Sequence, residues 1–259
     1  MVLIAVVGGT GLAGRAVVRH AVSAGHQVRS LSRHLPAAEQ RLAGVEYGQA
    51  DLRTGRGVTA AFTGVEVVID TLNARSGAAL RALPSTSAAV LDAAAQAEVR
   101  RCVLLTIVNA GECAMGYYQA QAARARSYEK SELTTTVVAA TQFHNLVAGI
   151  FAGGAKIGVI PAFMGVSVQP ISTADVAAVL VAEALRGGRD SEYVLAGGPE
   201  VHSMHELALM WKQATGSKAL VSPMPLPGSF GAFLRAGKNL IPDHAVGQES
   251  FEAWLAGRS

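Results

Sequence analysis

The chain has 259 residues, 50% of them hydrophobic, and a formal charge of only +3. That is enough apolar sequence for one large α/β domain or a domain with an appended lobe, and it excludes a disordered chain. Its 22 Lys and Arg residues are scattered rather than gathered into a run, so nothing points to nucleic acid or an anionic membrane surface as a partner.

The opening MVLIAVVGG is apolar, but it has no basic leader and runs straight into a glycine turn, so it reads as a buried strand rather than a signal peptide. No window approaches the roughly 18 apolar residues of a membrane span. Cys102 in an apolar run and Cys113 in an expected loop have neither metal-type nor disulfide-framework spacing. These features predict a soluble, cytoplasmic protein.

Short Val/Ile/Leu-rich runs alternate with longer Ala-rich helical patterns, the layout of a parallel sheet covered on both faces. Strands are expected at Val2 to Val7, Gln27 to Leu31, Val45 to Tyr47, Val67 to Asp70, Cys102 to Val108 and Thr136 to Ala140. Leu12, Ala16, Val17, Ala21 and Ala24 recur at helical spacing after the first strand, and Gly25 is placed to end that helix. A second long helix is expected from near Pro84 to Ala97. Beyond Gly149 the pattern loosens. Helices are expected from Thr173 to Leu185 and from Ser203 to Thr215, where Ser203 and Glu206 have capping-box spacing, and SPMPLPGS, Ser222 to Ser229, reads as a loop. The fold class expected is a Rossmann-type doubly wound α/β domain over residues 1–150, with a smaller α/β substrate or partner lobe over 151–259.

VVGGTGLAG, Val6 to Gly14, spaces glycines at 8, 11 and 14 between an apolar strand and an amphipathic helix. Gly8 permits the tight turn, Gly11 lets backbone approach a pyrophosphate, and Gly14 lets helix and strand pack closely; the helix start then supplies free N–H groups and positive dipole. A lone glycine motif is weak evidence, but the strand-turn-helix context supports dinucleotide binding over a structural turn. Where the second strand ends, RSLSRH carries no carboxylate for a ribose 2′-hydroxyl. Arg33 offers a planar fork for a 2′-phosphate, favouring NADP(H) over NAD(H); the alternative is a solvated surface arginine.

With these residues in hand, the chain resembles the NmrA-like branch of the atypical short-chain dehydrogenases/reductases. The likeness rests on GGTGLAG, VRSLSR, Asp51-Leu52, LLTIVNA, GYYQAQ, TQFHNL, QPISTADVA and LAGGPEVHSMHELA, and covers nearly the whole length. The resemblance implies that Gly8, Thr10, Gly11, Leu12 and Gly14 hold the pyrophosphate, Arg33 the 2′-phosphate, and Asp51 with Leu52 the adenine. It places Thr71, Leu72 and Asn73 at the nicotinamide ribose, the TQFH turn with Gln142 near the nicotinamide, and Phe143 and His144 toward substrate. Members of that family include both reductases of small molecules and NADP-binding regulators without turnover, so fold alone does not decide function.

Three departures bear on chemistry. The serine common after the fifth strand is missing, leaving Thr106 and Asn109 as polar candidates. The arginine that often ends the sixth strand is replaced by Ala139. Tyr117 lacks its partner lysine, since Gln121 stands one turn later. A lysine there would hold the nicotinamide ribose and make the phenol more acidic; glutamine does only the first. On a helix Tyr117, Gln121, Arg124 and Tyr128 share a face, so Arg124 could supply part of the missing charge, although a solvated surface arginine is the favoured reading.

In HSMHE, His202 to Glu206, a helix cap explains the residues better than a metal, because the two histidines lack ligand spacing. His144 is an acid–base candidate near neutral pH or a merely packed histidine. No elbow serine or cysteine–histidine arrangement supports acyl transfer. The expectation is an NADP(H)-dependent reductase of a small carbonyl or conjugated substrate, with Tyr117, Gln121, Thr106 and His144 as catalytic candidates. A cofactor-responsive sensor and a non-redox isomerase or cyclase stay open as alternatives.

Overall fold

The structure, a computed structural model, describes residues 1–258. In chain order the elements are β1 (Leu3–Val7), α1 (Leu12–Ser23), β2 (Gln27–Ser32), β3 (Val45–Gln49), α2 (Val58–Phe62), β4 (Val67–Asp70), α3 (Gly77–Gln96), β5 (Arg101–Ile107), α4 (Gly116–Glu129) and β6 (Thr135–Ala140). They continue with α5 (His144–Ala155), β7 (Val159–Phe163), β8 (Ser167–Val168), α6 (Thr173–Leu185), β9 (Glu192–Ala196), β10 (His202–Ser203), α7 (Met204–Thr215), β11 (Leu220–Met224), α8 (Gly228–Arg235) and α9 (Phe251–Ala256).

Seven strands form the main sheet in the order β3-β2-β1-β4-β5-β6-β9, a Rossmann-type arrangement in which the order reverses beside β1. The pairings β2–β3, β1–β2, β1–β4 and β4–β5 are parallel, with Val6 opposite both Ser30 and Ile69. Strands β4 (VVID) and β6 (TTVVAA) are buried along their whole length, which is why neither alternates apolar with polar residues.

The chain divides into two compact units, each drawn from three separate stretches of sequence. The first comprises residues 1–106, 116–138 and 176–194; among the described residues the second comprises 107–115, 139–175 and 195–258. The single boundary expected near residue 150 does not describe this division, because most of α6 and the start of β9 return to the first unit. The first unit's core joins the sheet to α3 and α4 through Ala5, Val68, Leu91, Leu104 and Tyr128. In the second unit, β7 pairs with β11 in parallel and β8 with β10 in antiparallel fashion.

Two expected elements need correction. The long helix begins at Gly77 and carries Pro84 in its interior. Proline removes one helical hydrogen bond, but Leu83, Ser87, Val90, Leu91 and Ala94 form a continuous buried stripe across it, and packing of that stripe outweighs the lost bond. The segment Ser222 to Ser229 is not wholly loop: Ser222 to Met224 extend β11, with Ser222 opposite Pro161 and Pro223 opposite Ala162. A two-stranded ribbon tolerates prolines because its outer edge asks for no N–H donor. Gly25, at φ +81, follows the end of α1 as expected, and Ser203 and Glu206 form the capping box on α7.

Candidate functional site

The glycine turn is built from its own geometry. Gly8 has φ +78, a conformation side chains resist, and its N–H donates to the Leu31 carbonyl at 3.0 Å. A Cβ on Gly14 would crowd the Gly8 carbonyl and lie 2.7 Å from the Gly9 Cα and 2.8 Å from Thr71 Oγ1, so only glycine lets α1 pack this closely. A Cβ on Gly11 would meet only the Gly8 carbonyl, at 3.2 Å. Gly11 is also the N-cap of α1, without a side-chain cap, so the first-turn N–H groups have no side-chain acceptor. Thr10 is half-buried and Leu12 is half-exposed at the rim. An uncapped helix start beside a glycine cradle fits a dinucleotide pyrophosphate.

Beyond β2 the side chain of Arg33 is exposed, while its carbonyl accepts Gln49 Nε2 at 2.9 Å and the Ser32 hydroxyl donates to the His34 carbonyl at 2.7 Å. Asp51 Oδ1 accepts the Arg53 N–H at 3.0 Å, and that bond holds its carboxyl below the usual range; Leu52 packs half-buried against the first unit's core. A cavity of about 240 Å³ opens between the glycine turn and the connection from β2 to β3, lined by Gly9, Arg15, Arg19, Glu39, Arg41 and Tyr47. Arg41 is held in it, its Nε donating to the Pro36 carbonyl at 3.1 Å and its guanidinium 5.7 Å from the Tyr47 ring centre.

The end of β4 and the first half of α4 bring the expected ribose and catalytic residues together. Thr71 is buried and donates through Oγ1 to the Val7 carbonyl at 2.8 Å, and the Leu72 N–H donates to Asp70 Oδ1 at 2.9 Å. Asn73 Oδ1 accepts both the Tyr117 hydroxyl, at 3.1 Å, and Gln121 Nε2, at 3.3 Å. Thr106 Oγ1 donates to the Gln121 carbonyl at 3.3 Å, so it braces α4. Tyr117 and Gln121 are thus united at Asn73, with Thr106 behind them.

Arg124 departs from the favoured surface reading. It is fully buried, and it ion-pairs through Nη2 with Asp70 Oδ1 at 3.0 Å. Its Nε donates to Ser87 Oγ at 3.1 Å and its Nη1 to Gln121 Oε1 at 2.7 Å. Asp70 Oδ2 also accepts the Tyr128 hydroxyl at 3.1 Å and the Ser87 hydroxyl. Burial, reinforced by the Asp70 carboxylate, pushes the Tyr128 phenol up and the Cys102 thiol up to about 12, so neither ionises near neutral pH.

In the second unit, Gln142, Phe143 and His144 follow β6, with Phe143 as the extended N-cap of α5. Gln142 Oε1 accepts Asn239 Nδ2 at 3.3 Å, while Gln142 Nε2 and Asn239 Oδ1 have no protein partner among the described residues. Phe143 is half-buried. His144 is fully buried: Nε2 lies 2.9 Å from the Glu249 carbonyl and the ring packs 5.5 Å from both Phe251 and Trp254. Burial lowers its proton affinity. The packed reading of His144 therefore fits its surroundings. Asn109 donates to the Lys238 carbonyl at 2.8 Å.

Sequence reasoning missed Arg15, Arg19 and Arg41. Arg15 directly follows Gly14 and was legible as a first-turn cation; nothing local marks Arg41, whose place depends on the path between β2 and β3. It also missed Asp70, which read simply as the last residue of a strand.

A family model described as NAD(P)H-binding matches residues 8–186. No curated protein matches the chain significantly in sequence. Among solved structures, an NADPH-dependent quinone oxidoreductase from Escherichia coli, complexed with NADPH, is similar at TM-score 0.80 and 17% identity, covering 98% of this chain and 99% of its own. Triphenylmethane reductase from Citrobacter sp. is similar at TM-score 0.70 and 18% identity, with 99% and 94% covered. An epimerase from Methanothermobacter thermautotrophicus is similar at TM-score 0.78 and 15% identity, with 98% and 89% covered.

Proposed function

The chain belongs to the NAD(P)H-binding family, and from that premise we propose that it is an NADPH-dependent reductase of a small carbonyl or conjugated substrate. The observation that carries this reading is the meeting of the Tyr117 hydroxyl and Gln121 Nε2 on one atom, Asn73 Oδ1, at the end of the strand that follows the glycine cradle in the sheet. Reduction needs a hydride and a proton; the bound cofactor supplies the hydride. The uncapped start of α1 and Gly11 hold the pyrophosphate. Arg33 holds the 2′-phosphate, with Arg15 and Arg41 adding positive charge nearby. Asn73 and Gln121 hold the nicotinamide ribose, and the Tyr117 hydroxyl gives its proton to the reduced substrate. His144 is packed and has no role in proton transfer.

The quinone oxidoreductase and triphenylmethane reductase among the fold neighbours make conjugated substrates the first to test. A second reading, a cofactor-responsive sensor without turnover, draws on Gln121 in place of a lysine and on the Thr106 hydroxyl being engaged by backbone. Following NADPH absorbance with quinones, enones and imines separates the two. Turnover supports the reductase; tight NADPH binding without turnover on any of them supports the sensor.

A further inference from the structure

Arginine carries donors and no acceptor, so any side-chain amide bonded to it must present its oxygen. This removes the usual ambiguity over which end of a glutamine faces which way. Arg124 Nη1 lies 2.7 Å from Gln121 Oε1, and the guanidinium cannot turn away, because its other arms are held by Asp70 at 3.0 Å and Ser87 at 3.1 Å. Arg124, Asp70 and Ser87 are fully buried and Gln121 is 3% exposed, so water does not compete for these bonds. With its oxygen taken, Gln121 has only its Nε2 donors left for the outer side, where they meet Asn73 Oδ1 at 3.3 Å. The Tyr117 hydroxyl donates to that same oxygen. Asn73 is thereby oriented too, its oxygen committed to α4 and its Nδ2 donors turned away from Tyr117 and Gln121.

We infer that Arg124 is a positioning residue for the cofactor site: anchored on Asp70, it fixes the Gln121 amide so that a neutral N–H donor is offered to an acceptor oxygen such as a ribose hydroxyl. The directions propagate outward from one buried carboxylate, from Asp70 to Arg124, Gln121, Asn73 and Tyr117. The same geometry accounts for glutamine at position 121. A lysine there would set an ammonium against the Arg124 guanidinium in a buried place, whereas glutamine supplies the carbonyl that the guanidinium requires and still leaves a donor. The inference rests on the reading that Gln121 lies at the nicotinamide ribose.

The test is a double-mutant cycle on NADPH affinity, measured by calorimetric titration of the full chain. Arg124→Lys keeps a charge opposite Asp70 but has no second arm for Gln121. It is expected to weaken NADPH about tenfold when Gln121 is present and less than about twofold in the Gln121→Met background. Any purely structural loss appears in both backgrounds alike, as an equal drop in thermal midpoint. Equal weakening of NADPH in both backgrounds overturns the inference. If Gln121→Met alone leaves NADPH affinity and turnover unchanged, the underlying placement of Gln121 fails instead. Should Arg124→Lys not fold, the wild-type protein still decides: with arginine guanidinium nitrogens and glutamine side-chain carbonyls isotope-labelled, a scalar coupling across the hydrogen bond from Arg124 Nη1 to the Gln121 side-chain carbonyl is expected. A resolved Arg124 guanidinium signal without that coupling overturns the inference.

Discussion

Arg124 and Asp70 form an ion pair with both side chains fully buried, Nη2 to Oδ1 at 3.0 Å, joining α4 to the end of β4. Each partner's remaining polar atoms are also bonded, through Gln121, Ser87 and Tyr128. Removing one partner would leave an uncompensated buried charge, at a cost of about 3–5 kcal/mol. Arg124→Met is therefore expected to lower unfolding free energy by that order in a denaturant titration, and Arg124→Met combined with Asp70→Leu to lose less than Arg124→Met alone. A loss below about 1 kcal/mol for Arg124→Met would mean that water reaches Asp70.

The glycines should separate binding from folding. Gly14→Ala forces a Cβ against the Gly8 carbonyl and the Gly9 Cα, both backbone, so the thermal midpoint should fall and cofactor binding with it. Gly11→Ala meets a single atom at 3.2 Å, so it should stay folded within a few degrees of wild type while binding NADPH at least about tenfold more weakly. Unchanged affinity in a folded Gly11→Ala protein would make this turn structural only.

Arg33 bears on cofactor choice. Its side chain is exposed, and its backbone is held by Gln49, so Arg33→Ala should not disturb the fold. Losing a charge-assisted contact to the 2′-phosphate should weaken NADPH by about 1.5–3 kcal/mol and leave NADH nearly unaffected. Calorimetry with both cofactors reads this directly; an equal effect on the two would move the 2′-phosphate elsewhere, with the cavity around Arg15 and Arg41 the first place to look.

His144 predicts an acid dependence of stability. Burial keeps it neutral in the folded protein, below the ordinary histidine value, whereas the unfolded chain takes up a proton near pH 6.5. The unfolded state then binds more protons, so this contribution is present above about pH 6.5 and is lost as the pH falls below it, no more steeply than about 1.4 kcal/mol per pH unit. His144→Phe should flatten the fall in stability between pH 7 and pH 5. Parallel curves for the two proteins would assign the acid sensitivity to other groups.

Much of the first unit was legible. Six strands, the glycine turn and the pairing of Tyr117 with Gln121 followed from runs of β-branched residues and fixed spacings. The seventh strand, β9, was not, because EYVLA is short and its place at the sheet edge depends on α6 returning to the first unit. Arg124 was misread for a physical reason: charged residues default to solvent, and what buries this one is Asp70, 54 residues earlier in the chain. On α4 the inward face carries Gln121, Arg124 and Tyr128, so helix periodicity marked no apolar stripe there. His144 looked like a site residue beside Phe143, yet Phe251 and Trp254, more than a hundred residues onward, pack its ring.

The most direct test of the reductase reading is a steady-state assay of NADPH oxidation with a panel of quinones, enones and imines, comparing wild type with Tyr117→Phe. A reductase should show saturable turnover on at least one conjugated substrate, a higher kcat/KM with NADPH than with NADH, and a fall in kcat of about 10²-fold or more in Tyr117→Phe with NADPH affinity within about threefold of wild type. Tight NADPH binding by a folded protein that turns over none of these substrates would contradict that reading, as would a Tyr117→Phe protein that reduces them at the wild-type rate.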